Sequence, residues 1–147
     1  RAWLSRGYGW QKIDGKTYPC YDCWTIKSES GLEFENHHAH RIIKPKGHEY
    51  RIGRPRANQR PDGSWELRAT SDTVTKQYQS YKFISSDGED FIRTGDVELP
   101  RGASGEWDHE MTCYPSHFER SDGTRYLFYN GNDMGRSGVG FAEWVAR

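Results

Sequence analysis

Ser28-Glu29-Ser30-Gly31-Leu32-Glu33-Phe34 recurs as Ser85-Ser86-Asp87-Gly88-Glu89-Asp90-Phe91, an offset of 57 (85 − 28). Other fragments repeat around it. His48-Glu49, with Glu49 six residues before Pro55, returns as His109-Glu110, with Glu110 five before Pro115. Asp14-Gly15, Asp62-Gly63 and Asp122-Gly123 each stand just before or between runs rich in Tyr, Trp, Phe, Ile and Val. Such runs, bounded by Gly, Pro, Asp and Asn, read as strands. No stretch sustains a 3.6-residue apolar period, so almost no helix is expected. A repeat of roughly 50–60 residues made of short strands and Asp-Gly turns points to propeller blades.

The middle unit is the clearest. Tyr50 to Arg60 reads as a strand, Pro61-Asp62-Gly63-Ser64 as a turn, and Trp65 to Thr70 as the return. Proline fixes φ in that turn and glycine supplies a positive one. Gln77 to Ser85 and Phe91 to Val97 complete four antiparallel strands, one blade. Tyr78, Ser80 and Lys82 take one face of the third strand; Gln79, Tyr81 and Phe83 take the other. The third unit reads as Met111 to Glu119, Arg125 to Tyr129 and Val139 to Val145. The first reads as Ala2 to Ser5, Tyr18 to Ser28 and a strand within Leu32 to Ile43. The expected fold is all-β: one partial propeller domain over 1–147, in units 1–45, 46–100 and 101–147. The first unit lacks an inner strand and the third an outer one. The chain is therefore expected to be a fragment, or a homo-oligomer whose copies close the array, because open edges are otherwise a liability.

Composition narrows the partners. Of 147 residues, 33% are hydrophobic and 14% aromatic, so the core must lean on rings. The 21 basic and 21 acidic residues cancel, which argues against nucleic acid or a membrane surface as the main partner. No apolar run is long enough to span a bilayer, and no signal peptide is visible. Cys20, Cys23 and Cys113 form no disulfide framework. Cys20 and Cys23 have a C-x-x-C spacing, but on a strand positions three apart diverge. The cytoplasm is the expected compartment, although Arg1 marks a chain that is processed, trimmed or part of something longer.

Five ordered segments carry a family resemblance. They are Tyr18-Pro19-Cys20-Tyr21 before Ser28-Glu29-Ser30-Gly31; Glu49-Tyr50-Arg51-Ile52-Gly53-Arg54-Pro55; Ser85-Ser86-Asp87-Gly88; Trp107-Asp108-His109-Glu110-Met111 leading to Tyr114-Pro115; and Tyr129-Asn130-Gly131-Asn132 followed by Gly138-Val139-Gly140-Phe141-Ala142. Together they resemble the C-terminal half of a family assigned as five-bladed β-propeller glycoside hydrolases, kin to arabinanase, xylosidase, invertase and mannoside-phosphorylase propellers. The resemblance implies a carbohydrate partner and glycoside-hydrolase-like chemistry. The family's proteins are longer, and related propellers usually carry the catalytic base, an Asp, on a first blade to which no segment here corresponds.

Glycoside hydrolysis needs two carboxyl groups, one protonated and one ionised. Glu49 and Glu110 are the candidates, each entering an inner strand of successive units. Arg54 could hold a hydroxyl or carboxylate bidentately. Asp108 beside Trp107 offers an acceptor next to a ring. His48 and His109 are titratable near neutrality. Tyr114 matches Arg54 in preceding a proline, and Asn130 opens a polar Asn130-Gly131-Asn132-Asp133 loop. Two His and two Glu could also bind a metal, but the spacing is not diagnostic, and no metal or cofactor is expected. His37, His38 and His40 read as surface, His117 as packed, and Trp10, Trp24, Trp65 and Trp144 as core.

Overall fold

The structure is a computed structural model that describes residues 1–35 and 38–144, without the side chain of Asp96. His37 and the end of the expected last strand, Val145, lie outside the described residues. The strands are β1 Ala2–Ile13, β2 Lys16–Ile26, β3 Ala39–Ile43, β4 Glu49–Gln59, β5 Trp65–Thr73, β6 Tyr78–Ser85, β7 Ile92–Leu99, β8 Cys113–Glu119, β9 Arg125–Asn130 and β10 Val139–Glu143. Asn132–Gly135 forms one short helical turn. The strands make three antiparallel sheets in chain order: β1-β2-β3, β4-β5-β6-β7 and β8-β9-β10. Among the described residues no helix is long and apolar enough to cross a membrane.

The repeats correspond to matching local structures. Asp62 Oδ1 accepts the Ser64 N–H at 2.9 Å, and Asp122 Oδ1 the Thr124 N–H at 3.0 Å, so the β4–β5 and β8–β9 hairpins turn alike. Ser28 and Ser85 each accept a glycine N–H through Oγ at 2.9 Å, from Gly31 and Gly88. Asp14-Gly15 makes a two-residue hairpin between β1 and β2, both residues at positive φ.

Both faces of the middle sheet are covered. Ile52, Leu67, Ala69 and Phe83 pack with Cys23 and Ile43 of the first sheet. Tyr78 and Ser80 are buried, and Ser80 bonds the chain just ahead of β8. Cys20 belongs to a separate cluster with Ile13 and Tyr50, so the two C-x-x-C thiols do diverge. Burial holds the Cys113 thiol up at about 12 and pushes Cys23 up as well, which leaves both poor nucleophiles. One packing expectation fails: Trp10 is 73% exposed. Its strand is a sheet edge, with a neighbouring strand on one side only.

The sheets join by one repeated step. Arg54 and Tyr114 both sit at φ 56°, each at a β-bulge (between Gly53 and Arg56, and between Cys113 and Ser116), each before a proline. The Arg54 N–H donates to Ser5 Oγ of β1 at 2.8 Å, and the Tyr114 N–H to Thr70 Oγ1 of β5 at 2.8 Å. Beside these, Cys23 Sγ donates to Ile52 O at 3.7 Å and Ser80 Oγ to Thr112 O at 2.8 Å. Ser5 pairs with Cys23 and Thr70 with Ser80, so the same two positions on one sheet receive the next sheet's bulged strand.

Candidate functional site

A non-glycine residue in the left-handed region costs of order 1–3 kcal/mol and persists only where its surroundings fix it. Two such residues at matching places mark a candidate site. The bulges bring their side chains together: the Arg54 guanidinium lies 5.1 Å over the Tyr114 ring. Tyr114 donates its hydroxyl to Met134 Sδ at 2.9 Å. Burial is the main cause raising the Tyr114 and Tyr21 phenols above the ordinary tyrosine value, and Arg51 and Arg54 oppose it in both.

Beneath this pair lies a charged cluster. Asp72, 1% exposed, accepts from Arg51 at 2.8 Å, from Lys76 at 2.9 Å and from the Tyr50 hydroxyl. The Arg51 guanidinium stands over the rings of Tyr21, Tyr50 and Tyr78, at 4.9–5.2 Å. The Lys76 ammonium lies 3.9 Å over Tyr18. Sequence reasoning missed Tyr21, Arg51, Asp72 and Lys76. They come from three strands and a turn, and no local spacing links them.

The two glutamates part company. The bulge repeat is 60 residues (114 − 54), whereas Glu110 follows Glu49 by 61 (110 − 49). Counted back from the bulge, Glu49 matches His109 and Glu110 matches Tyr50. A slip of one residue turns a strand side chain to the other face. Glu49 is buried, 6% exposed at its side chain, paired with Arg93 at 2.8 Å, and capping the Lys46 N–H. Glu110 is 59% exposed, its carboxylate 3.7 Å from His109 Nε2. Their partners have no member in common.

The loop before β8 is rigidly tied. Asn132 Oδ1 accepts both the Glu110 and Met111 N–H, at 2.8 and 3.0 Å. His109 Nδ1 lies 2.6 Å from Glu106 O and 3.0 Å from Asn132 Nδ2, which holds the ring against the loop. Asp108 is buried and accepts from the Tyr129 hydroxyl at 2.9 Å, so it supports the loop rather than facing solvent. Asn130 donates to Met134 O at 3.0 Å. His48 is exposed, and its carbonyl accepts the Val74 N–H at 2.9 Å. The structure thus brings Arg54 to Tyr114, His109 to Glu110 and Asn130 to Met134. It joins neither Glu49 nor His48 to them.

A cavity of about 1110 Å³ lies elsewhere, beside the Ser28 turn and Glu89. Arg1, Lys27, His40 and Glu89 line it, and Glu89 already takes Arg1 at 2.8 Å as well as Lys27. No expected site residue borders it. Among the described residues no group of three His, Cys, Asp or Glu is placed to hold a metal ion.

Six tyrosines (8, 21, 50, 81, 114 and 129) have pKa values raised first of all by burial, Tyr129 to about 12. The folded state therefore holds these protons longer than the unfolded chain does. Their contribution to stability is complete below about pH 10 and is lost as pH rises through the folded values. Alkaline titration should show the tyrosinate absorbance of these groups rising together with unfolding, above the ordinary tyrosine range of about pH 10. Full ionisation at pH 10.5 with intact far-ultraviolet dichroism would contradict this.

No protein-family model matches the chain, and no curated protein sequence matches it. Solved structures do. An endo-1,4-β-xylanase from Bacteroides thetaiotaomicron superposes with a TM-score of 0.66 at 12% identity, over 96% of this chain and 54% of that one. A glycoside hydrolase superposes with a TM-score of 0.63 at 14% identity, over 96% of this chain and 40% of that one. The chain shares its fold with these glycoside hydrolases and spans about half of their length or less.

Proposed function

We propose that this chain is a carbohydrate-active, glycoside-hydrolase-like unit, its three sheets arranged as propeller blades, that binds sugar where the bulged strands β4 and β8 meet. The observation carrying this reading is the paired left-handed bulge that sets the exposed Arg54 guanidinium on the Tyr114 ring. A planar donor fork beside an aromatic face suits a ligand with hydroxyl edges and an apolar ring face. Glu110 is the carboxyl group open to a ligand, with His109 to exchange protons with it. Glu49, held by Arg93, keeps its strand in place and is the weaker candidate for the second carboxyl. Asp108 and Asn130 order the loops, and His48 stands at the entrance to β4. The fold shared with glycoside hydrolases supports the assignment.

A panel of aryl glycosides and soluble polysaccharides tests it. Turnover lost about 100-fold or more in Glu110→Gln would assign Glu110 to acid–base work. Binding without turnover, weakened by Arg54→Ala, would make the unit a sugar-binding one. Neither binding nor turnover would remove the proposal.

A second reading, self-association, is favoured by the outer face of β8-β9-β10. Asn130 and Val139 occupy there the positions of Thr70 and Ser80, and Phe118, Phe128 and Phe141 beside them are exposed. The equivalent faces of the first two sheets each receive another sheet. A second copy is the proposed occupant. Light scattering should then give a dimer that Phe141→Glu converts to monomer; a monomeric wild-type chain ends this reading.

A further inference from the structure

Trp107 has an unusual seat. Its ring stacks on Tyr129, with centroids 5.4 Å apart and planes 26° from parallel. Three glycines of the β9–β10 hairpin complete the support. A Cβ on Gly131 would come within 2.5 Å of the indole Cζ3, one on Gly140 within 2.6 Å of Cη2, and one on Gly138 within 3.3 Å of Cε3. The glycines let the ring lie close against the hairpin backbone. The Trp107 carbonyl is fixed as well, accepting from the Asn132 N–H at 3.0 Å and from Ser137 Oγ at 2.7 Å. Yet the residue is 39% exposed. The hairpin and Tyr129 back the ring, and the residue still meets water. A tryptophan held only for packing gains by covering both faces.

We propose that the outward face of the Trp107 indole is a carbohydrate-stacking subsite. It takes the apolar C–H face of a sugar ring whose hydroxyls remain at the rim. This rests on the sugar-binding reading above and extends it to a second contact. One short turn links the two: Asn132 bonds the Trp107 carbonyl and the Glu110 N–H, and Met134 accepts from Tyr114. A ring fixed before binding loses little conformational entropy when a ligand arrives. Trp10, more exposed but without such backing, lacks that advantage.

The test uses the whole chain with soluble arabinoxylan and linear arabinan as probes. Tryptophans are oxidised with N-bromosuccinimide with and without polysaccharide, and each is read by peptide mass spectrometry. Saturating polysaccharide should slow Trp107 oxidation about tenfold and leave Trp10 unchanged; Trp107→Ala should weaken binding about tenfold, and Trp107→Phe only a few-fold. Polysaccharide that binds while Trp107 oxidises at its free rate overturns the subsite and leaves the sugar reading standing. Equal affinity of Trp107→Ala and wild type does the same. A wild-type chain that binds neither polysaccharide removes both. Should Trp107→Ala not fold, the oxidation readout decides alone.

Discussion

Asp72→Ala should cost about 3–5 kcal/mol of folding stability, the usual penalty for removing one partner of a buried ion pair. Among the described residues Asp72 is the sole carboxylate in contact with Arg51 and Lys76, and it accepts the Tyr50 hydroxyl besides. Without it the Arg51 guanidinium stays buried among Tyr21, Tyr50 and Tyr78 with only ring faces to offset its desolvation. Lys76 is a third exposed and can turn to water, so Arg51 carries most of the loss. Urea titration should show the midpoint falling at constant m. Adding Arg51→Met to Asp72→Ala should recover part of the stability, since the charge left behind is the expensive species. A single-variant loss below about 1 kcal/mol would mean that water reaches the cluster and the pair is effectively exposed.

Gly53→Ala should cost about 1–3 kcal/mol of stability. The new Cβ would lie 2.6 Å from the Tyr21 ring and 2.7 Å from Ser5 Oγ. Both neighbours are committed: Ser5 accepts the Arg54 N–H, and Tyr21 supports Arg51. Relieving the clash must move the bulge that aims Arg54 at Tyr114. Sugar binding should therefore fall more than stability alone explains. Gly9→Ala is the control. Its Cβ would meet nothing within 4 Å, so it should be neutral or slightly stabilising. Equal melting temperatures for the two variants would show that the bulge yields without consequence.

Turn chemistry made much of the fold legible. The Asp-Gly hairpins and serine turns act within a few residues, so their spacing located the strands closely; Trp65 to Thr70 and Gln77 to Ser85 fall within or one residue beyond β5 and β6. Strand ends drifted where pairing outran composition. β1 runs on to Ile13, past the Ser5 at which the sequence reading ended it, because it pairs with β2 along its length. The site was legible only in part. Arg54 and Tyr114 stood out because each precedes a proline, but their contact appears only in the structure. Glu49 and Glu110 looked equivalent by the same logic, but one residue of slip placed one in a buried ion pair and the other in solvent.

The sequence by itself determined strands, turns and the order of three sheets, because hydrogen-bonded turns and alternating side chains are local properties. It also marked the residue-proline steps at which β4 and β8 prove to bulge. Only the tertiary structure decided which carboxylates are open, which glycines seat Trp107, and that Asp72 gathers Arg51, Lys76 and Tyr50. Those outcomes depend on distances between strands far apart in the chain, where burial sets the cost of a charge and one residue of register sets the face.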